Sequence, residues 1–408
     1  MDKENKINLI GSIILLGLVA DAIYHYIMIC FANYDFPYTT SLFDPLDRYN
    51  DYFNVCTIVQ GLNPYLGENM FPSNYLPFAN ILFYLFSLSR IYVLRYLVIL
   101  FGVFFAYFNF LFLFSKAHRC SLNNVVLFSF FTYPFLFVTD RGNIEGLVFI
   151  FLLLFTYYYY YRKMPFYSLI SLSLAIVIKG PPAVFLILLL ADRKYKDILF
   201  VIVIAIALTF TSLLFHRGGY ANNLAFIRSG FNLTDHVAVG GSAIQRGVSM
   251  FSLFKIIFIT FNIPVDLLTF LQLYQKIGLF LSALVSAYVI FVEKEVWKKL
   301  FLLVAIMLLF PYISADYKLI HIFLALYLFV DSKSESRADV WYASMFGLLL
   351  IPKHYYFLTG IVSDLGIPDI SINMPLNIVI LVAMVFMVII SGIRMRLSRM
   401  KTSGSYSI

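Results

Sequence analysis

DRGNIEGLVFIFLLLFTYYYYYRK, residues Asp140 to Lys163, sets out the plan of the chain in a single pass. It opens on an acid, an arginine and an asparagine, and runs on through apolar residues from 143 to 161. Five consecutive tyrosines, 157 to 161, then lead to Arg162-Lys163. An apolar run of about 20 residues matches a helix crossing a hydrocarbon layer of about 30 Å. Tyrosines with basic residues just beyond them mark the cytoplasmic boundary of such a span, so no chemistry is assigned to these rings. The polar residues at the start of the run must then face the opposite side.

The same alternation extends in both directions. Lys116 to Arg119, Arg193 to Lys196, Lys294 to Lys299 and the tail from Arg394 to Lys401 are merely basic, like Arg162-Lys163. The intervening loops carry reactive groups: Asp47-Arg48-Tyr49-Asn50-Asp51, Asp140 to Asn143, Lys179-Gly180-Pro181-Pro182, the interval His216 to Arg246, and Asp316 to His321. The positive-inside rule puts the first set in the cytoplasm and the second on the outer face. Composition agrees: 61% of residues are hydrophobic and 13% charged, against about 25% charged in soluble domains. The net charge of +8 lies in cytoplasmic loops and tail and follows from orientation, so no nucleic-acid partner is expected. Cys30, Cys56 and Cys120 have neither a pairing pattern nor metal-ligand spacing.

These patterns predict an all-α polytopic transmembrane helical bundle, residues 1–408, as a single integral membrane domain. Its parts are a first outer loop at 33–75 containing a short helix, a second outer loop at 216–250 and a cytoplasmic tail at 394–408. Spans are expected near 9–31, 91–115, 120–138, 143–161, 197–215, 266–291, 299–313, 317–331, 340–358 and 375–393, with a broken pair at 165–178 and 181–191. That makes about twelve crossings, with both termini cytoplasmic. The first run is too long for a signal core and reads as uncleaved. Runs 76–89 and 248–262 are too short to span and read as re-entrant or interfacial helices. Pro181-Pro182 breaks the chain after Lys179, where exposed backbone beside a cation suits an anion; a proline kink with a snorkelling lysine is the competing reading.

The first outer loop concentrates the acids. Asp44, Asp47 and Asp51 precede a predicted helix from Tyr52 to Gln60, then Gly61-Leu62-Asn63-Pro64-Tyr65, and Asn74-Tyr75-Leu76-Pro77-Phe78 opens the next apolar run. A carboxylate there is placed to take a proton from a hydroxyl, with Asp51 favoured and Asp47 the alternative base. Candidate anion partners are Lys179, Arg246 and His321, then Arg141, Arg217 and Lys318. Arg217 and Lys318 read equally as span-end anchors, and His321 as a satisfied interior histidine. Glu145, an acid within an apolar run, reads as a functional interior group or as a partner of Arg141 four residues earlier. His236 and Gly240-Gly241-Ser242 read as ordinary loop residues. No metal site is expected, since isolated loop acids more often cap helices.

An Asp ahead of a short helix, Gly-x-Asn-Pro-Tyr and a Tyr-x-Pro entry to the next run together resemble the GT-C glycosyltransferases, especially family 87. That family includes the polyprenol-phosphate-mannose-dependent mannosyltransferases. Arg141 to Gly146 resembles the family's Gly-Asn segment and Ala175 to Pro182 its apolar-Lys-Pro segment; the resemblance runs over the first half of the chain and fades after about Met250. It implies a GT-C-like bundle, Asp51 as the family's base and Lys179 near the donor phosphate, although Gly-Pro-Pro follows this lysine where Pro alone is the pattern. The implied reaction is inverting transfer of a sugar, mannose foremost, from a polyprenyl-phosphate donor to a hydroxyl of a glycolipid, glycan or protein at the periplasmic or outer side of a bacterial cytoplasmic membrane. No cofactor is implied, and membrane lipid is the remaining partner. A transporter or lipid-linked glycan flippase is the alternative, along with an O-antigen-type polymerase. No convincing internal repeat supports a transporter, and the charges cluster at one edge of the spans.

Overall fold

The computed structural model describes residues 1–42, 48–61, 63–66, 72–114, 122–220, 223–224, 227, 247–332, 337–357 and 370–404. Asp44, Asp47, Cys120, His236, Gly240 to Ser242 and Arg246 lie outside the described residues. Helix α1 (Lys3–Cys30) starts at Asp2, whose carboxylate accepts the Asn5 N–H at 2.8 Å. The first outer loop contains α2 (Asn50–Ile58) and leads into α3 (Pro77–Ser87), whose proline occupies the first turn, where no donor is needed. There follow α4 (Arg90–Leu113), α5 (Leu122–Phe130), α6 (Tyr133–Arg141) and α7 (Glu145–Thr156), the last continued by a π turn, Tyr157–Arg162. Next come α8 (Pro165–Ile178), a 3-10 turn (Pro181–Phe185), α9 (Leu186–Ala191) and α10 (Tyr195–Leu213). The second half contains helices Met250–Thr260, Leu267–Phe291, Val296–Leu309, Ile322–Asp331, Ala338–Leu350 and Asn373–Gly404.

Six described helices are long and apolar enough to cross a membrane by length and composition, with five shorter apolar helices beside them, where about twelve crossings are expected. Pro165 and Pro181-Pro182 confine α8 and the turn with α9 to lengths short of a full span. The run at 340–358 stays helical only to Leu350, and a two-stranded ladder pairing Tyr356 with Ser371 departs from an all-helical chain. The last helix continues to Gly404 through most of the predicted tail.

The alternation of loops is legible in the contacts. Lys3 pairs with Asp331 at 2.5 Å, and Tyr161 donates to the same carboxylate at 2.9 Å. Tyr159 donates to Asp192 at 2.6 Å, and Arg396 reaches the Phe291 carbonyl at 3.3 Å. Chain start, tyrosine run and 192–194 turn therefore share one end. Because Tyr159 meets Asp192, the chain between them runs out and back, and its apex is Lys179. The 14 residues of α8 carry that apex about 21 Å from the basic end at 1.5 Å per residue.

One hydrophobic core extends from Ile7 to Val388, while Leu15, Leu16, Ile99, Leu100, Leu279 and Phe280 remain exposed, as lipid-facing side chains do. Small residues bring α1 against the Ala338–Leu350 helix: a Cβ on Gly17 would sit 2.6 Å from Ile351 Cβ, and one on Gly347 2.9 Å from Ile13 Cβ. Gly17→Ala is expected to destabilise by about 1–3 kcal/mol through overpacking, visible as a lower midpoint in detergent melts.

Candidate active site

Asp51 is the second residue of α2, and the local chain aims it at the end of α6. Tyr49, just ahead of the helix, takes a left-handed φ of 55°, and its N–H donates to the Asp140 carbonyl at 2.8 Å. Tyr52 Oη donates to the Arg90 carbonyl at 3.1 Å, tying α2 to the start of α4. Arg141 Nη2 then meets Asp51 Oδ1 at 2.5 Å, and Asn143 Nδ2 donates to Asp51 Oδ2 at 2.7 Å. Between these two donors Gly142 turns the chain with φ 58°, and a Cβ there would lie 3.0 Å from Tyr52 Cβ. Glycine is required by both the dihedral and the space.

Asn143 also accepts the Glu145 N–H through Oδ1 at 2.9 Å, opening α7. Glu145 is 1% exposed, and its carboxylate meets Lys179 Nζ at 2.5 Å and His321 Nε2 at 2.7 Å. A carboxylate withdrawn from water in this way is tolerable only with such partners. The pairing with Arg141 suggested by the four-residue spacing does not form, because the Gly142 turn ends α6 and α7 begins afresh at Glu145. Lys179 is extended after α8, and its ammonium lies 5.1 Å from the Tyr317 ring centre and 6.0 Å from that of Tyr75. Desolvation pushes the Tyr75 phenol well above its ordinary range, so that it is a neutral hydrogen-bonding group. Lys318, also buried, reaches the Ile313 carbonyl at a long 3.4 Å.

Thus the fold gathers Asp51, Arg141, Lys179, Lys318 and His321 at one end, with Asn143, Glu145, Tyr75 and Tyr317 among them. Arg217 is exposed, and among the described residues no ion pair joins it to Asp51 or Glu145; its carbonyl accepts from Asn63 Nδ2 at 2.5 Å. The same Asn63 amide bonds Asn223 at 2.6 Å, which ties the Gly-Leu-Asn-Pro-Tyr segment to the start of the second outer loop. Sequence reasoning also missed the anchor behind the Asp316–His321 turn. There Asp316 Oδ2 accepts from Tyr133 at 2.8 Å and Asn373 at 2.5 Å, and Tyr133 also meets His354 at 3.2 Å. An apolar cavity of about 310 Å³ between α3, α4, α6 and α7 reaches the cluster through Tyr52, Gly142 and Asn143.

A helical bundle with lipid-facing apolar surface and a single-ended cluster of carboxylates and cations defines an integral membrane protein with a site suited to acid–base chemistry. The family follows from the sequence: the model of glycosyltransferase family 87 matches residues 74–314, more than half of the chain, and the chain belongs to that family of membrane glycosyltransferases. The match continues well past Met250, where the resemblance was expected to fade, and covers Arg141, Asn143, Glu145 and Lys179. Asp51 lies ahead of it and Lys318 and His321 just beyond. No curated protein and no solved structure matches the chain.

Proposed function

We propose that this glycosyltransferase moves a sugar, mannose foremost, from a polyprenyl-phosphate donor to an acceptor hydroxyl on the outer side of the membrane, with inversion. In this reading the shorter apolar helices complete about twelve passes. The observation that carries the reading is the placement of Asp51 and the Lys179–Glu145–His321 cluster at one end of the bundle, beside an apolar cavity.

In the reaction, Asp51 takes the proton of the acceptor hydroxyl as its oxygen bonds to the anomeric carbon. The bond from that carbon to the phosphate oxygen breaks, and the polyprenyl phosphate departs with the electron pair. Lys179, Lys318 and His321 stabilise the charge gathering on the phosphate, where preorganised donors act most strongly. Arg141 pairs with Asp51 and orients its carboxylate. Asp47, Arg246 and Arg217 remain proposed as alternative base and further phosphate contacts from the outer loops. The cavity accommodates the first part of the polyprenyl chain.

Lys179→Met removes a cation without removing bulk. It is expected to weaken polyprenyl-phosphate binding about tenfold or more, as loss of a charged hydrogen bond of about 1.5–3 kcal/mol requires. Titration of the purified protein with polyprenyl phosphate reads this directly; an unchanged affinity would remove Lys179 from the phosphate site.

A further inference from the structure

The side chain of Asn143 faces two ways. Its Nδ2 donates to Asp51 Oδ2 at 2.7 Å, while its Oδ1 accepts the Glu145 N–H at 2.9 Å. Asn143 is 7% exposed and begins the tight passage from Gly142 into α7. Because Oδ1 is committed to the helix start, the amide cannot flip, and its N–H must point at the carboxylate. Any displacement of the Glu145 backbone is therefore transmitted to Asp51. Glu145 in turn is fixed by Lys179 and His321. The base and the cation cluster thus meet in one amide.

We infer that Asn143 is a positioning residue that sets the orientation and basicity of Asp51 and couples it to the Glu145-centred cation cluster. This rests on the assignment of Asp51 as the base. An ionised carboxylate prefers a donor against Oδ2, and a like charge in that place would hold it protonated to higher pH. Among the described residues, the charged and titratable groups seen to interact with Asp51 include Arg141 from the end of α6, Lys179 from the hairpin apex, Tyr75 ahead of α3 and Tyr317 from the Asp316–His321 3-10 turn. None of these need move when Asn143 is exchanged for a residue that keeps the helix cap.

Asn143→Asp and Asn143→Ser make the test, since Asp and Ser can both cap α7 while only Asp adds a charge beside Asp51. Each is compared with wild type by the pH profile of kcat and by donor KM in lipid, using the polyprenyl-phosphate sugar that the wild type turns over. For Asn143→Asp the acid limb is expected to move up by about one unit or more, with kcat at neutral pH at least about tenfold down and donor KM within about twofold. For Asn143→Ser a smaller loss and a smaller upward movement are expected. Wild-type kcat and an unmoved acid limb in both variants would overturn the inference, as would equal losses with no ordered shift, which mark a purely structural role. Persistent activity of Asp51→Asn would instead show that the base assignment itself had failed, with the Asn143 series then reporting on another group.

Discussion

Asp51→Asn is expected to lower transfer by about 10²–10⁴-fold, the range that a positioned general base contributes. The amide is nearly isosteric with the carboxylate and can still accept from one of Arg141 and Asn143, so α2 and the turn at Gly142 should hold. Binding of polyprenyl phosphate should be close to wild type, because the cations assigned to the phosphate lie just after α8 and in the Asp316–His321 turn. The informative comparison is turnover against binding in the same preparation. Loss of turnover with binding kept identifies a group that acts on the acceptor; loss of both indicates a collapsed site.

Glu145 gives the second large effect, in stability as well as activity. Its carboxylate is the shared partner of a lysine and a histidine within the protein. Glu145→Gln leaves Lys179 facing an amide, and breaking one side of a buried pair costs about 3–5 kcal/mol. The melting midpoint in detergent should drop sharply and transfer should fall to background. Removing Lys179 as well, in Glu145→Gln/Lys179→Met, eliminates the unpaired charge. The double variant is therefore expected to melt above Glu145→Gln alone while remaining inactive. Equal melts for the single and double variants would mean that Glu145 and Lys179 are not coupled.

The grouping of the basic loops at one end of the bundle was legible in the sequence because charge sorting between loops is a property of composition alone. Basic stretches and reactive stretches alternate along the chain, and the contacts Lys3–Asp331 and Tyr159–Asp192 join the basic ones. The reversal at Lys179 was equally readable, since two prolines cannot continue a helix. The helix after Asp51 was expected over 52–60 and forms over Asn50–Ile58. The partners of Glu145 were not readable. Spacing along the chain favoured Arg141, and only the Gly142 turn, with Lys179 arriving from 34 residues away, decides otherwise. Nor could one pass along the sequence bring Tyr133, Asp316, His354 and Asn373 together, because their contacts span up to 240 residues. An acid within an apolar run was still a sound signal, since such a group needs a partner somewhere.

The most direct measurement is transfer of radiolabelled sugar from a panel of polyprenyl-phosphate sugars in proteoliposomes, with nucleotide sugars in parallel and the anomeric configuration of the product determined. The account requires label to reach an acceptor from at least one polyprenyl-phosphate sugar, with inversion, and none from the nucleotide sugars. Retention of configuration would contradict the single-displacement mechanism based on Asp51. Absence of transfer from every polyprenyl-phosphate sugar, with label instead moved across the bilayer unchanged, would contradict the lipid-phosphate transferase and favour a transporter.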